Sequence, residues 1–380
     1  MSTEEIVIVG GGVIGLSIAY ALAREGVRST LLDKTEVGRG ASWAGAGLIP
    51  SPATRTSKSP MVELRNWSTR LYPEWSQALR DETGIDNGFR RCGGLDVAFT
   101  LEEENEVKTS AGRWRVEGIH YERLTPAALR QVEPELTSDL RAAWFLPDRS
   151  QIRNPRHLRA LATACEQRGV TLRPDVEVLE IEHSGTHVQS LKTSIGTMHV
   201  GSVIIAAGAW TGQLLSGLGI NVPTPPLRGQ MLLFQSPEGR RLLTHVVEWG
   251  KNYLVPRDDG RILVGATEED VGFDSGTTDQ GQTYLMGLAL KLCPALAEAK
   301  LERAWSGLRP GSKDTRPYLG LAPQMTNLYV ASGHKRAGLQ LSPATAEAMT
   351  DLVLGRPPRI DLSAFRLDRE GQVDEVSFRS

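Results

Sequence analysis

The chain has 380 residues, 40 % of them hydrophobic and 23 % charged, with a formal net charge of −2. That length suits two domains and a large apolar core that needs no staples, and the near-neutral balance gives no electrostatic case for binding nucleic acid or an anionic membrane. Cys92, Cys165 and Cys293 are far apart and form no CxxC pair, so they read as reduced thiols and indicate neither a disulfide framework nor a metal site.

In chain order, residues 6–22 are apolar, but Glu4 and Glu5 precede them where a signal peptide is basic, and Gly10, Gly11, Gly12 and Gly15 interrupt them. The run is also too short to span a membrane, so a cytoplasmic protein is expected. Residues 6–9 are β-branched throughout, as in a parallel strand buried on both faces. Residues 16–25 read as a helix with Gly26 at its C′ position. Residues 29–32 supply a second strand that ends at Asp33.

Gly10, Gly12 and Gly15 fit GxGxxG between this strand and helix. One glycine makes the turn, one lets backbone approach a pyrophosphate, and one packs helix on strand, while the helix N-terminus faces the phosphates. Asp33 lies 18 residues beyond Gly15, near the spacing of roughly 20 for an acid that accepts from a ribose hydroxyl. A bound dinucleotide follows. The small-residue stretch 39–47 comes directly after the second strand and favours FAD, whose long body must pass close to backbone.

Further along, residues 61–83 carry Leu64, Trp67, Leu71, Trp75 and Leu79 at helical spacing, and strand and helix signals mix over 88–147. A helix is predicted over 153–168 and strands over 171–182. Residues 203–207 form a further parallel strand ending at Gly208. Residues 227–267 alternate strand and turn around Asp258-Asp259-Gly260 and read as antiparallel. After the strand 328–331 and the loop 332–340, Ser342 and Pro343 are placed as N-cap and N1 of a helix through Leu354. A parallel-sheet domain is thus interrupted twice by a mostly antiparallel one.

The blocks GGGVIGLSIAY, LLDK, GRGASWAGAGL, VIIAAGAWTG, WSGLRPGSKDTRPYLG and ASGHKRAG resemble the D-amino acid oxidase and sarcosine oxidase superfamily nearly end to end. NYLVPRDDGRILVGAT and GLRPGSKD…PYLG resemble its glycine oxidase branch, associated with thiamine (thiazole) biosynthesis. The resemblance implies an α/β fold: a Rossmann-like FAD-binding domain of glutathione-reductase type 2 with a largely antiparallel α+β substrate domain. The implied FAD domain is discontinuous (1–87, 148–224 and 304–370), the substrate domain covers 88–147 and 225–303, and 371–380 is a polar tail.

By the same resemblance Arg309 clamps a substrate carboxylate with Tyr253, and Arg336 lines the far side of the pocket. A guanidinium suits that task because it pairs with a carboxylate through two parallel N–H groups. The cofactor contacts implied are Gly10, Gly12, Val13, Ile14, Gly15, Asp33, Lys34, Ala41, Ser42, Ala46, Gly47, Leu48, Val178, His334, Lys335, Arg336, Ala337, Gly338, Leu339 and Gln340. His334 is read as shaping the loop in preference to serving as a general base. FAD is expected to be non-covalent, because residues 318–323 hold no Cys and residues 41–48 no His. No metal is expected.

The implied reaction is oxidative deamination of glycine, sarcosine, D-alanine or another small amine by hydride transfer to flavin N5. It gives an oxo acid such as glyoxylate, ammonia or an amine, and peroxide from O2, and its imine would serve thiazole formation. A homo-oligomer, tetrameric by resemblance, is expected. Two rivals stand beside this: a D-amino acid dehydrogenase with a quinone acceptor, and a non-catalytic nucleotide-binding module. Three departures bear on specificity: the acids Glu268-Glu269-Asp270, Lys335 in place of an aromatic or apolar residue, and Gln340 in place of an aliphatic one. The acids read either as a solvated face or as a pocket mouth shaped for a larger or more basic substrate.

Overall fold

The computed structural model describes residues 6–369; Glu4, Glu5 and the tail 371–380 lie outside the described residues. Ile6–Val9 runs parallel to Ser202–Ile205 on one side and to Ser29–Leu32 on the other. Covered on both faces, it is apolar at every position. The sheet continues to Thr171–Arg173 at one edge and through Leu328–Ser332 to the antiparallel edge strand Tyr318–Leu321 at the other. From the central strand the chain first moves to one side and only later crosses to the other. The crevice beyond Val9 is therefore a topological switch point, where open α/β sheets bind ligands.

Helices Val13–Arg24, Pro60–Thr83, Asn154–Gln167 and Gly338–Val353 share one apolar core on one face of this sheet. The other face is covered by the three-stranded sheet Val178–Ser184, His187–Thr193 and Gly196–His199. A second sheet has eight strands, ordered Lys300–Pro310, Pro226–Gln235, Arg261–Gly265, Asn252–Pro256, Val246–Trp249, Gly94–Ala98, Ala142–Leu146 and Glu122–Leu124. It is antiparallel except where Val246–Trp249 runs parallel to Gly94–Ala98. Helix Asp279–Leu292 packs Leu285, Leu288, Ala289 and Leu292 into its core.

Two expectations change. The boundary drawn between residues 303 and 304 falls inside the strand Lys300–Pro310, which pairs with Pro226–Gln235 along its length. Gly307 and Pro310 look like breaks in sequence, yet this is an edge strand, and a proline at its end removes no needed ladder bond. The helix expected to open at Ser342 opens at Gly338, with Pro343 inside it. Pro343 has no N–H for the carbonyl of Leu339, and that oxygen instead accepts from the Tyr72 hydroxyl and from Ser342 Oγ at 3.0 Å. Outside help thus stands in for the lost helical bond. Among the described residues no helix is long and apolar enough to cross a membrane, and the three cysteines are unpaired.

Candidate active site

One continuous cavity of about 1780 Å³ runs from the glycine turn to the antiparallel sheet, meeting Gly10, Asp33, Ser42, Val178, Tyr253 and Arg309 on the way. At its first end Gly10 has φ +112°, and a Cβ there would collide with the carbonyl of Ala206. A Cβ at Gly15 would strike the carbonyl of Gly10, so only glycine lets the helix sit this close to the strand. Gly10 N donates to Leu32 O at 2.7 Å and Gly11 N to Asp33 Oδ2 at 2.7 Å. Asp33 Oδ1 also accepts from Thr35 N at 2.8 Å, which ties the turn to the end of the second strand. Helix Val13–Arg24 has no side-chain cap on its N-cap residue and no acid in its first turn, so its positive end is left for an anion. Val13 N donates to Ser42 Oγ at 2.9 Å. Lys34 reaches the cavity wall with its ammonium 3.8 Å from the centre of the Trp210 ring.

The middle of the cavity is walled by the small-residue stretch. Ala41–Ala44 is one helical turn and Leu48–Ile49 a short strand. Gly47 has φ +79° and abuts the carbonyl of Ile152 too closely for a Cβ. Asn154 Nδ2 donates to Ser42 O at 2.7 Å. Arg257, inside the NYLVPRDDGRILVGAT block but given no role by it, donates to Ala46 O at 2.8 Å from the neighbouring antiparallel sheet.

At the far end Arg309 Nη1 donates to Thr267 O at 3.1 Å. Burial depresses its guanidinium, Tyr253 acts in the opposite direction, Arg336 adds to the depression, and Glu268 opposes it. A Cβ at Gly229 would overlap the Arg309 guanidinium, and one at Gly265 would overlap Met231 Sδ and the Tyr253 ring. Two glycines on adjacent strands thus clear room for the two proposed clamp residues. The Tyr253 hydroxyl donates to Met231 Sδ at 3.4 Å, a weak acceptor.

Arg336 Nη2 donates to Lys251 O at 2.6 Å. His334 is buried, lies 3.2 Å from Thr345 Oγ1 through Nε2, and is pushed down to about 3 by burial. Lys335 adopts φ +48° and donates its N–H to Pro310 O at 2.7 Å, joining the loop to the arginine-bearing strand.

Of the sequence-predicted residues, all but Gly15 and Ala337 border the cavity; those two lie behind its wall. The three acids after Thr267 separate. Glu268 lies 3.7 Å from Lys335, and both line the cavity. Glu269 is taken up by Arg228 at 2.6 Å, Thr267 Oγ1 at 2.5 Å and Gln230 Nε2 at 2.8 Å. Asp270 is exposed. Sequence reading missed Arg149, a buried cavity residue paired with Asp96 at 2.9 Å and Glu248 at 3.4 Å. Nothing local marks it, since it lies in a loop and both acids come from strands distant in sequence.

The residues present fit FAD: a glycine turn with no room for Cβ atoms, two helix N-termini whose N-cap residues supply no side-chain cap, and a long cavity that both border. A switch-point dinucleotide site joined to an antiparallel sheet that carries a part-buried arginine defines a flavin-dependent oxidoreductase. The chain belongs to the FAD dependent oxidoreductase family, which matches residues 5–352. A glycine oxidase of Pseudomonas aeruginosa is 37 % identical, with 96 % of this chain and 98 % of the relative covered. The crystal structure of glycine oxidase from Geobacillus kaustophilus superposes with a TM-score of 0.92 at 34 % identity, covering 97 % of this chain and 99 % of that one. A bifunctional ThiO/ThiG protein of Synechocystis is 34 % identical over 97 % of this chain, which spans 54 % of that longer protein.

Proposed function

We propose that the chain oxidises glycine or another small amino or N-methyl amino acid, with O2 as the final acceptor. The observation that carries this is Arg309, whose guanidinium is held by a backbone carbonyl and, among the described residues, by no carboxylate, on the wall of the cavity that begins at the glycine turn. FAD bound there supplies the hydride acceptor. Its holders would be the residues from Gly10 to Ile14, Asp33 and Lys34, the stretch from Ala41 to Leu48, Val178, and the loop from His334 to Gln340.

Arg309 presents two N–H groups to the substrate carboxylate and fixes the Cα–H direction. The Tyr253 hydroxyl gives up only a weak sulfur acceptor when it turns to the same carboxylate. The substrate amine loses a proton to solvent, and its lone pair forms the C=N bond as hydride leaves Cα. No side chain has to remove the Cα proton. His334 stays neutral and holds the loop through Thr345. The N-terminus of helix Gly338–Val353, with no side-chain cap, favours negative charge gathering at that end of the cavity. Water then splits the imine to oxo acid and ammonia, and two electrons reach O2 as peroxide. The resemblance to the thiazole branch supports a role in supplying the glycine imine.

The test is peroxide release from glycine, sarcosine and D-alanine, each with and without an artificial electron acceptor. Stoichiometric peroxide is expected. Rapid dye reduction without peroxide would make the protein a dehydrogenase instead.

A further inference from the structure

Beside the Arg149–Glu248 ion pair of 3.4 Å, whose charges offset each other, five charged residues line the cavity at its Arg309 end: Lys251, Glu268, Arg309, Lys335 and Arg336. Four are cations and one is an anion. Glu268, which in sequence suggested a basic substrate, faces Lys335 at 3.7 Å and is offset by it. The α-carboxylate of an amino acid is assigned to Arg309 under the function proposed above, on which this inference rests. That leaves Arg336 and Lys251, whose backbone carbonyl accepts from Arg336 Nη2 at 2.6 Å. Among the described residues neither is held by a carboxylate, and the bond between them uses one guanidinium nitrogen and no ammonium. A monocarboxylate substrate therefore leaves two cationic residues on the cavity wall without an ion-pair partner among the described residues, and complementary charge is what such a wall selects.

We propose that Arg336 and Lys251 form a second anion subsite and that the chain prefers amino acids bearing a second carboxylate. The preference is electrostatic, so it is read by comparing a diacid with its uncharged amide of nearly equal size. Arg336 is part-buried and Lys251 exposed, so a charged hydrogen bond to Arg336 contributes about tenfold and Lys251 adds less.

In the FAD-loaded enzyme, kcat/KM for N-(carboxymethyl)glycine is expected to exceed that for N-(carbamoylmethyl)glycine about tenfold or more. D-aspartate is expected to exceed D-asparagine in the same sense. The ratio should fall several-fold in Lys251→Met and rise in Glu268→Gln, which releases Lys335. A ratio near one in the wild-type protein, with glycine still oxidised, overturns the subsite alone. A ratio that persists unchanged in Lys251→Met overturns the assignment to Lys251. Binding is measured separately by calorimetry with diglycolate, in which an ether oxygen replaces the amine, against methoxyacetate. Diglycolate should bind about tenfold tighter, and equal affinities refute the subsite even if no amine is turned over. Failure of every amine, with diglycolate still favoured, refutes the proposed reaction and leaves the subsite standing.

Discussion

Arg257 Nη2 donates to the carbonyl oxygen of Ala46 at 2.8 Å, so a guanidinium from the antiparallel sheet holds a turn on the dinucleotide cavity wall. Its Nη1 donates to Gln151 Oε1 at 2.6 Å and to Ile152 O at 3.1 Å. Burial, reinforced by Arg153 and Arg90, pushes it down to about 9, which still leaves it charged at neutral pH. Arg257→Met removes all three donations and leaves buried oxygens unpaired, each costing about 1–3 kcal/mol. Denaturant unfolding should show a loss of roughly 3 kcal/mol. Titration of apoprotein with FAD should show weaker binding, since Ala46 shapes the wall. Unaltered FAD affinity would mean that Arg257 supports the fold without fixing this turn.

Tyr72 and Pro343 are coupled through an atom that belongs to neither. The Leu339 carbonyl lacks a helical donor because of Pro343, and Tyr72 supplies one from helix Pro60–Thr83. Tyr72→Phe should cost about 1 kcal/mol and loosen the N-terminal turn of helix Gly338–Val353, which borders the cavity. Pro343→Ala restores an N–H four residues beyond Leu339, so it should recover stability in the Tyr72→Phe background more than in the wild type. A double-mutant cycle on unfolding free energies measures this coupling. Simple additivity would deny it.

These two relationships mark where the sequence stops being legible. The glycine turn, the parallel strands and the small-residue stretch announce themselves locally, because each needs a particular residue type at a particular spacing. Arg309 and Tyr253 were legible through their motif blocks alone. Pro343 misled, because Ser-Pro is a good helix opening wherever no distant hydroxyl can serve the orphaned carbonyl. Arg257 and Arg149 stayed hidden because their partners lie more than 50 residues away and are mostly backbone oxygens or acids on other strands. The Glu268–Lys335 pair was seen as two separate departures, and only their 3.7 Å approach shows that they offset each other.

Acid should destabilise the protein through His157. The imidazole is buried, 3.3 Å from Asn87 Nδ2, and burial pushes it down to about 3 from an ordinary 6.5. As pH falls below the unfolded value, the unfolded chain takes the proton first, so the stability this group contributes is lost progressively down to the folded value. Between pH 7 and 5 that amounts to about 2 kcal/mol. In His157→Gln the drop in unfolding free energy between those two pH values should shrink by about that amount. An identical pH dependence in both proteins would rule out His157 as the source.

The clamp can be tested from both of its sides. Arg309→Ala should keep bound FAD and lose about 10²–10³-fold in kcat/KM, the range for removing one partner of a buried charged pair. An unchanged kcat/KM refutes the clamp. Gly229→Ala approaches the same guanidinium from the adjacent strand, where a Cβ overlaps it, without touching the substrate directly. It too should retain FAD and lose activity, because the guanidinium must swing away from its bond to Thr267 O. If that is the cause, Gly229→Ala adds nothing in the Arg309→Ala background: a displaced side chain that has already been removed cannot be displaced again. Independent losses would instead add, and would place the effect of Gly229 in the strand pairing with Gly307.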